Sequence, residues 1–230
     1  MNIIRDKYSY KCNTIFNGIK NSAITNLEKS SRQITLKKNK ILFKENTYPD
    51  GLYQLIKGKV KIYQLNPDGK FQIVYLYTKG EFFGFRPILS NSKHPVSAET
   101  MEDCALIFYP KSNFLTALDS SPRLMKNLLI ALSYEFNVWV NLMSTFSHKS
   151  VKEKVAFALL ILNEKYKKNQ DDSFSNINIG RGDLASFAGT TTETCVRVLT
   201  QLKEEGILIT DGRKIKIKNE EKLISLSDLY

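Results

Sequence analysis

Residues Gly182–Asn219 read GDLASFAGTTTETCVRVLTQLKEEGILITDGRKIKIKN. This stretch contains a short helical segment, a Gly-Thr-Thr turn, a second and amphipathic helical segment, and then a basic β-hairpin. The order and spacing predict a winged helix-turn-helix, in which the second helix enters the major groove of DNA and the hairpin forms the wing. Double-stranded DNA is therefore the first partner that the sequence predicts.

The second helix of this stretch is predicted to begin after Gly189, with Thr190 as its N-cap and Glu193 completing a Thr-x-x-Glu capping box. Apolar residues at helical spacing define the face that packs inward, namely Cys195, Val198, Leu199 and Leu202. The start of the helix and its opposite face carry the predicted DNA contacts, which are Thr191, Thr192, Glu193, Val196, Arg197 and Thr200.

Glu193 and Arg197 are four residues apart, so they project from neighbouring turns of one helix face. A glutamate can accept from a cytosine amino group, an arginine can donate twice to a guanine edge, and Val196 or the Thr192 methyl group can touch a thymine methyl group. For Glu193 a second interpretation stays open, in which it only caps the helix and pairs with Arg197 on the surface. For Arg197 we expect contact with a base.

The hairpin is predicted to have strands at Ile207–Thr210 and Lys214–Lys218, joined at Asp211–Gly212 after Gly206 ends the helix. Isoleucines alternate with lysines along the second strand, so one face packs and the other is cationic. We expect phosphate contacts from Arg213, Lys214 and Lys216. The alternative is an edge strand whose lysines oppose aggregation.

These residues resemble a known family. The series Arg181-Gly182-Asp183-Leu184-Ala185, Gly189, Thr192-Glu193-Thr194, Arg197 and Leu199 is similar to the helix-turn-helix of the bacterial Crp-Fnr transcription regulators, whose recognition helix bears a Glu-x-x-x-Arg pair. Upstream, ENTYPDGLYQLIKGKVKI at Glu45–Ile62 resembles the β-roll segment of the family, with its Gly-x-Tyr-x-Ile-x-x-Gly-x-Val pattern. The resemblance covers nearly the whole chain.

The resemblance implies an α+β protein with three parts. These are an antiparallel, jelly-roll-like β-roll sensor of the cyclic-nucleotide-binding type in residues 1–119, a dimerisation helix and hinge in residues 120–147, and the winged helix-turn-helix in residues 148–230. It also implies a homodimer that binds a palindrome of TTGA-like or TGTGA-like half-sites under the control of an effector at the β-roll, and that meets RNA polymerase if it is an activator.

The front of the chain agrees with this architecture. Short alternating runs between Ile34 and Phe108, separated by Gly-, Pro- and Asp-rich turns, indicate a roll or sandwich. From Pro122, behind the candidate caps Ser120 and Ser121, a helix to Phe146 has an apolar surface wide enough for two partners, the roll and a second copy of the helix. Burial of this helix once, within a monomer, is the alternative. A hinge at Ser147–Ser150, a helix at Val151–Tyr166 and a polar loop at Lys167–Ser175 are predicted to follow.

The effector is the least determined part. Cyclic-nucleotide binders of the family carry a glutamate for the ribose and an Arg-Ser pair for the phosphate; here Phe85 follows Gly84 in place of the glutamate, and the Arg-Ser pair is absent. We therefore expect no cyclic nucleotide. The predicted effector pocket is formed by Phe83, Phe85, Arg86 and His94. Haem-dependent sensing of a redox signal or nitric oxide is an alternative, with His94, Cys104 or a methionine as axial ligand.

Composition restricts the other classes of function. Cys12, Cys104 and Cys195 are isolated, so we expect no iron–sulfur cluster and no disulfide framework. A net charge of +11 favours DNA, and the chain has no Gly-rich phosphate loop, paired histidines or hydrolase elbow, so we predict no enzyme, no catalytic residue and no metal site. A protein-interaction module that does not bind DNA would leave Glu193, Arg197 and the lysine wing unexplained. Without a long apolar segment or a signal-peptide core, we expect a cytoplasmic protein that has no membrane partner.

Overall fold

A computed structural model describes residues 3–10, 12–19, 22–66, 68–167 and 176–227. They fall into two compact units. The roll unit is Tyr10–Asn137, and the head unit comprises the described residues up to Ser9 together with those from Val138 onward. The first residues thus cluster with the head unit, whereas the sequence places them in the sensor domain.

The roll unit is built around two antiparallel four-stranded sheets, with strand orders β1-β8-β3-β6 and β2-β7-β4-β5. The strands are β1 (Arg32–Leu36), β2 (Ile41–Phe43), β3 (Gly51–Lys57), β4 (Val60–Leu65), β5 (Phe71–Tyr77), β6 (Phe82–Phe83), β7 (Ser97–Thr100) and β8 (Cys104–Pro110). The alternate residues Cys104, Leu106 and Phe108 of β8 are at most 4% exposed, which is how a period-two apolar pattern fills the interior of a roll. The predicted β-roll is confirmed.

Gly58 shows why the turn between β3 and β4 needs glycine. Its φ is +98°, and a Cβ there would lie 2.5 Å from the sulfur of Cys104. Any side chain would be strained and would also collide with β8.

Helices complete both units. The roll unit contains a 3₁₀ turn at Cys12–Thr14, α2 (Ser22–Ser30), α3 (Arg86–Leu89), α4 (Lys111–Ser120) and the first part of α5 (Pro122–Ser147). The head unit contains the end of α5, α1 (Ile3–Tyr8), α6 (Val151–Tyr166), α7 (Arg181–Ala188), α8 (Thr192–Glu204) and α9 (Glu220–Leu226), with a sheet of β9 (Ile177–Asn178), β10 (Leu208–Asp211) and β11 (Lys214–Ile217).

The two longest helices begin where the sequence predicts. The Ser121 hydroxyl accepts a hydrogen bond from the Leu124 amide at 3.3 Å, so Ser121 caps α5 ahead of Pro122. Ser150 caps α6 and forms a reciprocal capping box with Glu153. Residues 148–150 of the predicted hinge are non-helical, whereas Ser147 is the last residue of α5. The predicted polar loop lies, from residue 168 to residue 175, outside the described residues.

α6 is the centre of the head unit, because Val155–Asn163 are all buried. α1 packs against it, with the ring of Tyr8 edge-on to Phe157 at 4.8 Å. All three cysteines are free and buried. Among the described residues, none of the helices has both the length and the hydropathy that crossing a bilayer requires.

Candidate functional site

The turn between α7 and α8 is made by Gly189, which has a φ of +67° and a ψ of +43°. This left-handed conformation is inexpensive only for glycine, and it allows the Thr190 amide to donate to the Ala185 carbonyl at 3.0 Å. The chain leaves α7 and enters α8 within three residues. The two helices therefore form a compact helix-turn-helix.

The cap of α8 differs from the prediction by one residue. Thr191, and not Thr190, is the N-cap, and its hydroxyl accepts from the Thr194 amide at 3.2 Å. The predicted capping box with Glu193 is therefore wrong, because the spacing from Thr191 places Thr194 at the third helical position. The surface pair is also missing, since Glu193 and Arg197, both within the described residues, make no ion pair with each other. Neither structural interpretation of Glu193 accounts for its position.

α8 has a buried face and an exposed face, as its periodicity predicts. Cys195, Val198, Leu199 and Leu202 are at most 5% exposed. The opposite side is a row of exposed side chains, Thr191, Thr192, Glu193, Val196, Arg197 and Thr200. The Thr200 hydroxyl donates to the Val196 carbonyl at 3.1 Å, so it offers only its lone pairs outward. The Thr191 hydroxyl is likewise engaged, as the cap, whereas Thr192, Glu193, Val196 and Arg197 are available to a partner that fits a helix.

The wing differs from the predicted hairpin at its turn. Asp211 pairs with Lys214 as the last rung of β10 and β11, so the connection is Gly212–Arg213 instead of Asp211–Gly212. Gly212 has a φ of +52°, the conformation that a two-residue hairpin loop demands at its first position. Arg213, Lys214 and Lys216 are all exposed, while Ile215 and Ile217 are buried.

A third strand, β9, changes the interpretation of the lysines. It pairs with β11 through Ile177 and Ile215, so the sheet order is β10-β11-β9 and the lysine strand is central. Lysines that guard a sheet edge would lie on an outer strand. Because β9 pairs with the strand only at Lys214 and Ile215, the edge-strand alternative is excluded for Lys214, whereas Lys216 is paired with β10 alone.

The roll unit encloses a cavity of about 40 Å³. Its lining includes three of the predicted effector residues, Phe83, Arg86 and His94, beside Gly84 and Phe43. The fourth, Phe85, is fully buried at the N-cap of α3 and is not part of this lining. A water molecule needs about 10–15 Å³ by this measure, and small-molecule sites have about 300–1,000 Å³. The cavity is therefore large enough for a few water molecules and smaller than the sites that small molecules usually occupy.

Arg86 is bound to a buried acid that the sequence analysis missed. Its Nε donates to Glu135 Oε2 at 2.8 Å, its Nη2 lies 2.5 Å from the same oxygen, and its Nη1 donates to the Tyr77 hydroxyl at 3.3 Å. The Glu135 side chain is 2% exposed, and its Oε1 has no hydrogen-bond partner. The available signal was a glutamate in the inward stripe of α5, one helical turn from Ala131 and Val138 and two turns from Leu128.

Burial and the ion pair act against each other at this site. Burial raises the pKa of Glu135 above its ordinary value, although Arg86 opposes that rise. Burial alone would lower the pKa of Arg86, but Tyr77 and Glu135 raise it above its ordinary value. Arg86 is therefore a fixed cation whose carboxylate partner comes from within the protein.

His94 is a buried residue and not a surface one. It is 4% exposed, and its ring stacks on Phe43 with centroids 3.8 Å apart. Burial lowers the pKa of His94 to about 4, with Asp50 opposing the shift. The imidazole is neutral at pH 7. Among the described residues, no cluster of three or more His, Cys, Asp or Glu side chains could hold a metal ion.

The long helix α5 has a second, uncovered face. One side packs inward through Leu124, Leu128, Ala131 and Val138. Large apolar side chains on other positions are 40–69% exposed, namely Met125, Leu129, Ile130, Tyr134, Phe136, Val140 and Met143. A groove of about 260 Å³ runs along this face within the roll unit, lined by Lys126, Leu129, Ile130, Ser133, Tyr134 and Asn137.

Comparison with known proteins places both units in one family. The model of the cyclic nucleotide-binding domain matches residues 33–121, and that of the Crp-like helix-turn-helix domain matches residues 153–226. The chain is 26% identical over 197 residues to the anaerobic regulatory protein of Aggregatibacter actinomycetemcomitans, covering 85% of this chain and 76% of that protein. It is also 26% identical over 200 residues to the fumarate and nitrate reduction regulatory protein of Yersinia pestis, covering 85% and 78%.

Solved structures share the fold. FixK2 from Bradyrhizobium japonicum superposes with a TM-score of 0.77 at 24% identity, over 87% of this chain and 98% of that one. A Crp/Fnr-family regulator from Thermus thermophilus superposes with a TM-score of 0.71 at 22% identity, over 86% and 98%. The predicted order of β-roll, long helix and helix-turn-helix is confirmed.

Proposed function

The chain belongs to the Crp-Fnr family of transcription regulators and carries a helix-turn-helix DNA-binding domain, and on that premise we propose that it acts as a homodimer on palindromic DNA with TTGA-like or TGTGA-like half-sites. The observation that carries this proposal is the exposed row on α8. This row lies opposite the buried face of α8. It contains an acid, Glu193, and an arginine, Arg197, that make no ion pair with each other.

Base reading is assigned to Arg197 and Glu193. Arg197 donates twice to a guanine edge, and Glu193 accepts from a cytosine amino group on the neighbouring pair. Val196, 42% exposed, supplies an apolar contact for a thymine methyl group. Thr191, Thr192 and Thr200 flank these three side chains and contact the sugar–phosphate backbone or the outer bases.

Phosphate contacts are assigned to the wing. Lys214 and Lys216 alternate with buried isoleucines on a central strand, so their cationic heads share one face of the sheet. Arg213 in the turn adds a third cation. Such contacts fix the register of the protein on the duplex and carry no sequence information.

The apolar face of α5 supports the homodimer. Leu129, Phe136 and Met143 recur every seven residues on one face of one helix, with Val140 between the last two, and Phe136 and Met143 are more than two-thirds exposed. A second copy of the same helix is complementary to such a seam. A dimer also presents two recognition helices to half-sites about 34 Å apart, one turn of the double helix.

Control is assigned to the roll unit, with an effector that is not a cyclic nucleotide. The cyclic phosphate would need a free guanidinium, and Arg86 is already paired with Glu135. Neither a nucleotide nor haem fits the cavity of about 40 Å³ unless the roll opens. RNA polymerase is a further partner if the protein activates transcription.

Fluorescence anisotropy tests the proposal with the full chain. A labelled duplex with two TTGA half-sites on a ten-base-pair spacing is compared with a scrambled duplex at 0.15 M salt. We expect binding at least 10³-fold tighter to the palindrome. Arg197→Ala should weaken palindrome binding about tenfold or more per half-site and relax preference at the guanine. Equal affinity for both duplexes, with TGTGA half-sites tested in parallel, would contradict the proposal.

A further inference from the structure

A contact in the head unit joins the first helix of the helix-turn-helix to the tip of the wing. Arg181, the first residue of α7, donates through Nη2 to the Gly212 carbonyl at 2.7 Å. Gly212 is the first residue of the wing turn. One side chain thus spans from the start of α7 to the part of the wing that carries Lys214.

A second set of contacts holds the same two segments together. The Ile179 amide donates to the Arg213 carbonyl at 3.2 Å. The Arg213 guanidinium lies over Gly180, where an added Cβ would meet it at 3.2 Å and Asp183 Oδ2 at 3.5 Å. An added Cβ at Gly180 would therefore require the Arg213 guanidinium to move by a few tenths of an ångström.

The rest of the Arg181 guanidinium faces the protein. Its Nη1 is buried and has no hydrogen-bond partner. Burial lowers the pKa of Arg181, and the nearby Arg213 lowers it further. With one terminal nitrogen buried and the other donating to a backbone carbonyl, the guanidinium is poorly placed for a bidentate grip on phosphate.

We infer that Arg181 is a positioning residue, which sets the wing lysines at the correct place relative to the recognition helix. This inference rests on the proposed DNA contacts of Lys214 and Lys216. The alternative is that Arg181 binds a phosphate directly. The two roles differ in one measurable respect: a positioning residue is energetically coupled to the wing lysines, whereas an independent phosphate contact is additive with them.

The test is a double-mutant cycle between Arg181→Met and Lys216→Ala in the full chain, measured by anisotropy on the preferred palindrome and on random duplex. One phosphate contact contributes a salt slope of about 0.9, or about fivefold in affinity at 0.15 M salt. Lys216→Ala in a dimer should therefore cost about 30-fold on both duplexes. With Arg181→Met already present, Lys216→Ala should cost less than about threefold, because the wing is no longer in place.

Matched controls separate the outcomes. Lys203 is an exposed cation in the last turn of α8, and Lys203→Met should be additive with Lys216→Ala. Arg181→Lys keeps a charge and a donor; it is carried through the same cycle so that the result does not depend on the methionine variant folding. Hydrogen exchange of the free protein adds a readout without DNA: exchange across residues 207–218 should accelerate in Arg181→Met, while α6 stays protected.

Strict additivity of both Arg181 variants with Lys216→Ala, or an unchanged exchange rate in the wing, would overturn the positioning role. If Arg181→Met lowered the slope of log affinity against log salt by only the contribution of Arg181 itself, Arg181 would be identified as a phosphate contact. Failure of the wild-type chain to prefer any palindrome is a different result, because it would contradict the proposed function as well.

Discussion

Replacing Arg86 with methionine should destabilise the roll unit by about 3–5 kcal/mol at pH 7. The magnitude follows from what remains: Glu135 is 2% exposed, and one of its oxygens already lacks a partner, so removing Arg86 leaves a buried charge with no compensation. Glu135→Gln should cost less, about 1–2 kcal/mol, since the amide oxygen of glutamine can still accept from Arg86, which also keeps the Tyr77 hydroxyl as a neighbour.

Urea unfolding followed by circular dichroism measures both costs, and the double variant Arg86→Met/Glu135→Leu provides the control. Removing both charges should return stability to within about 1 kcal/mol of the wild type. The cost of Arg86→Met should also shrink as the pH falls, because protonation neutralises a carboxyl whose pKa is already raised. A larger cost for Glu135→Gln than for Arg86→Met, or a double variant as unstable as Arg86→Met, would show that the cost of Arg86→Met does not come from an uncompensated charge on Glu135.

Three further predictions concern other parts of the molecule. The pKa of His94 is about 4 in the folded protein, so as the pH falls the unfolded chain takes up a proton before the folded one does. The free energy of unfolding should therefore fall by roughly 3 kcal/mol from pH 6.5 to pH 4. His94→Gln should flatten that part of a curve of stability against pH. Phe136→Glu or Met143→Glu should give monomers in light scattering at micromolar concentration. The control Leu65→Glu, at a similarly exposed position on β4, should leave the dimer intact. A monomeric wild type would contradict the proposed dimer. Calorimetry with cyclic AMP and cyclic GMP should show no binding tighter than millimolar, and micromolar binding would mean that Arg86 leaves Glu135 for the phosphate.

The recognition helix and the wing could be predicted because their information is local. The stripe from Cys195 to Leu202 and the alternation around Ile215 each report which face is buried, whatever the surrounding structure. The errors there were shifts of one residue. Three successive threonines follow Gly189, and only the geometry of the turn selects Thr191 as the cap. The sequence predicts Gly212 as a turn residue, but only the strand register decides which of the two turn positions it occupies.

Contacts between residues far apart in the chain could not be predicted, either in the roll unit or in the head unit. Arg86 and Glu135 are 49 residues apart, and nothing in either local segment indicates the other. β9 has only two residues, too few for a periodic pattern, yet it makes the lysine strand central. His94 lies in a polar loop that suggests exposure, and only the fold stacks it on Phe43.

Selection of binding sites by the full chain from a pool of random duplexes, repeated with Arg197→Ala and with Lys216→Ala, tests whether α8 reads DNA. The wild type should enrich a palindrome whose half-sites are about one helical turn apart and contain an invariant guanine. Arg197→Ala should lose preference at that guanine alone, and Lys216→Ala should enrich the same palindrome with lower yield. Enrichment of no palindrome by the wild type, or an unchanged guanine preference in Arg197→Ala, would contradict the assignment of α8 as the helix that reads DNA.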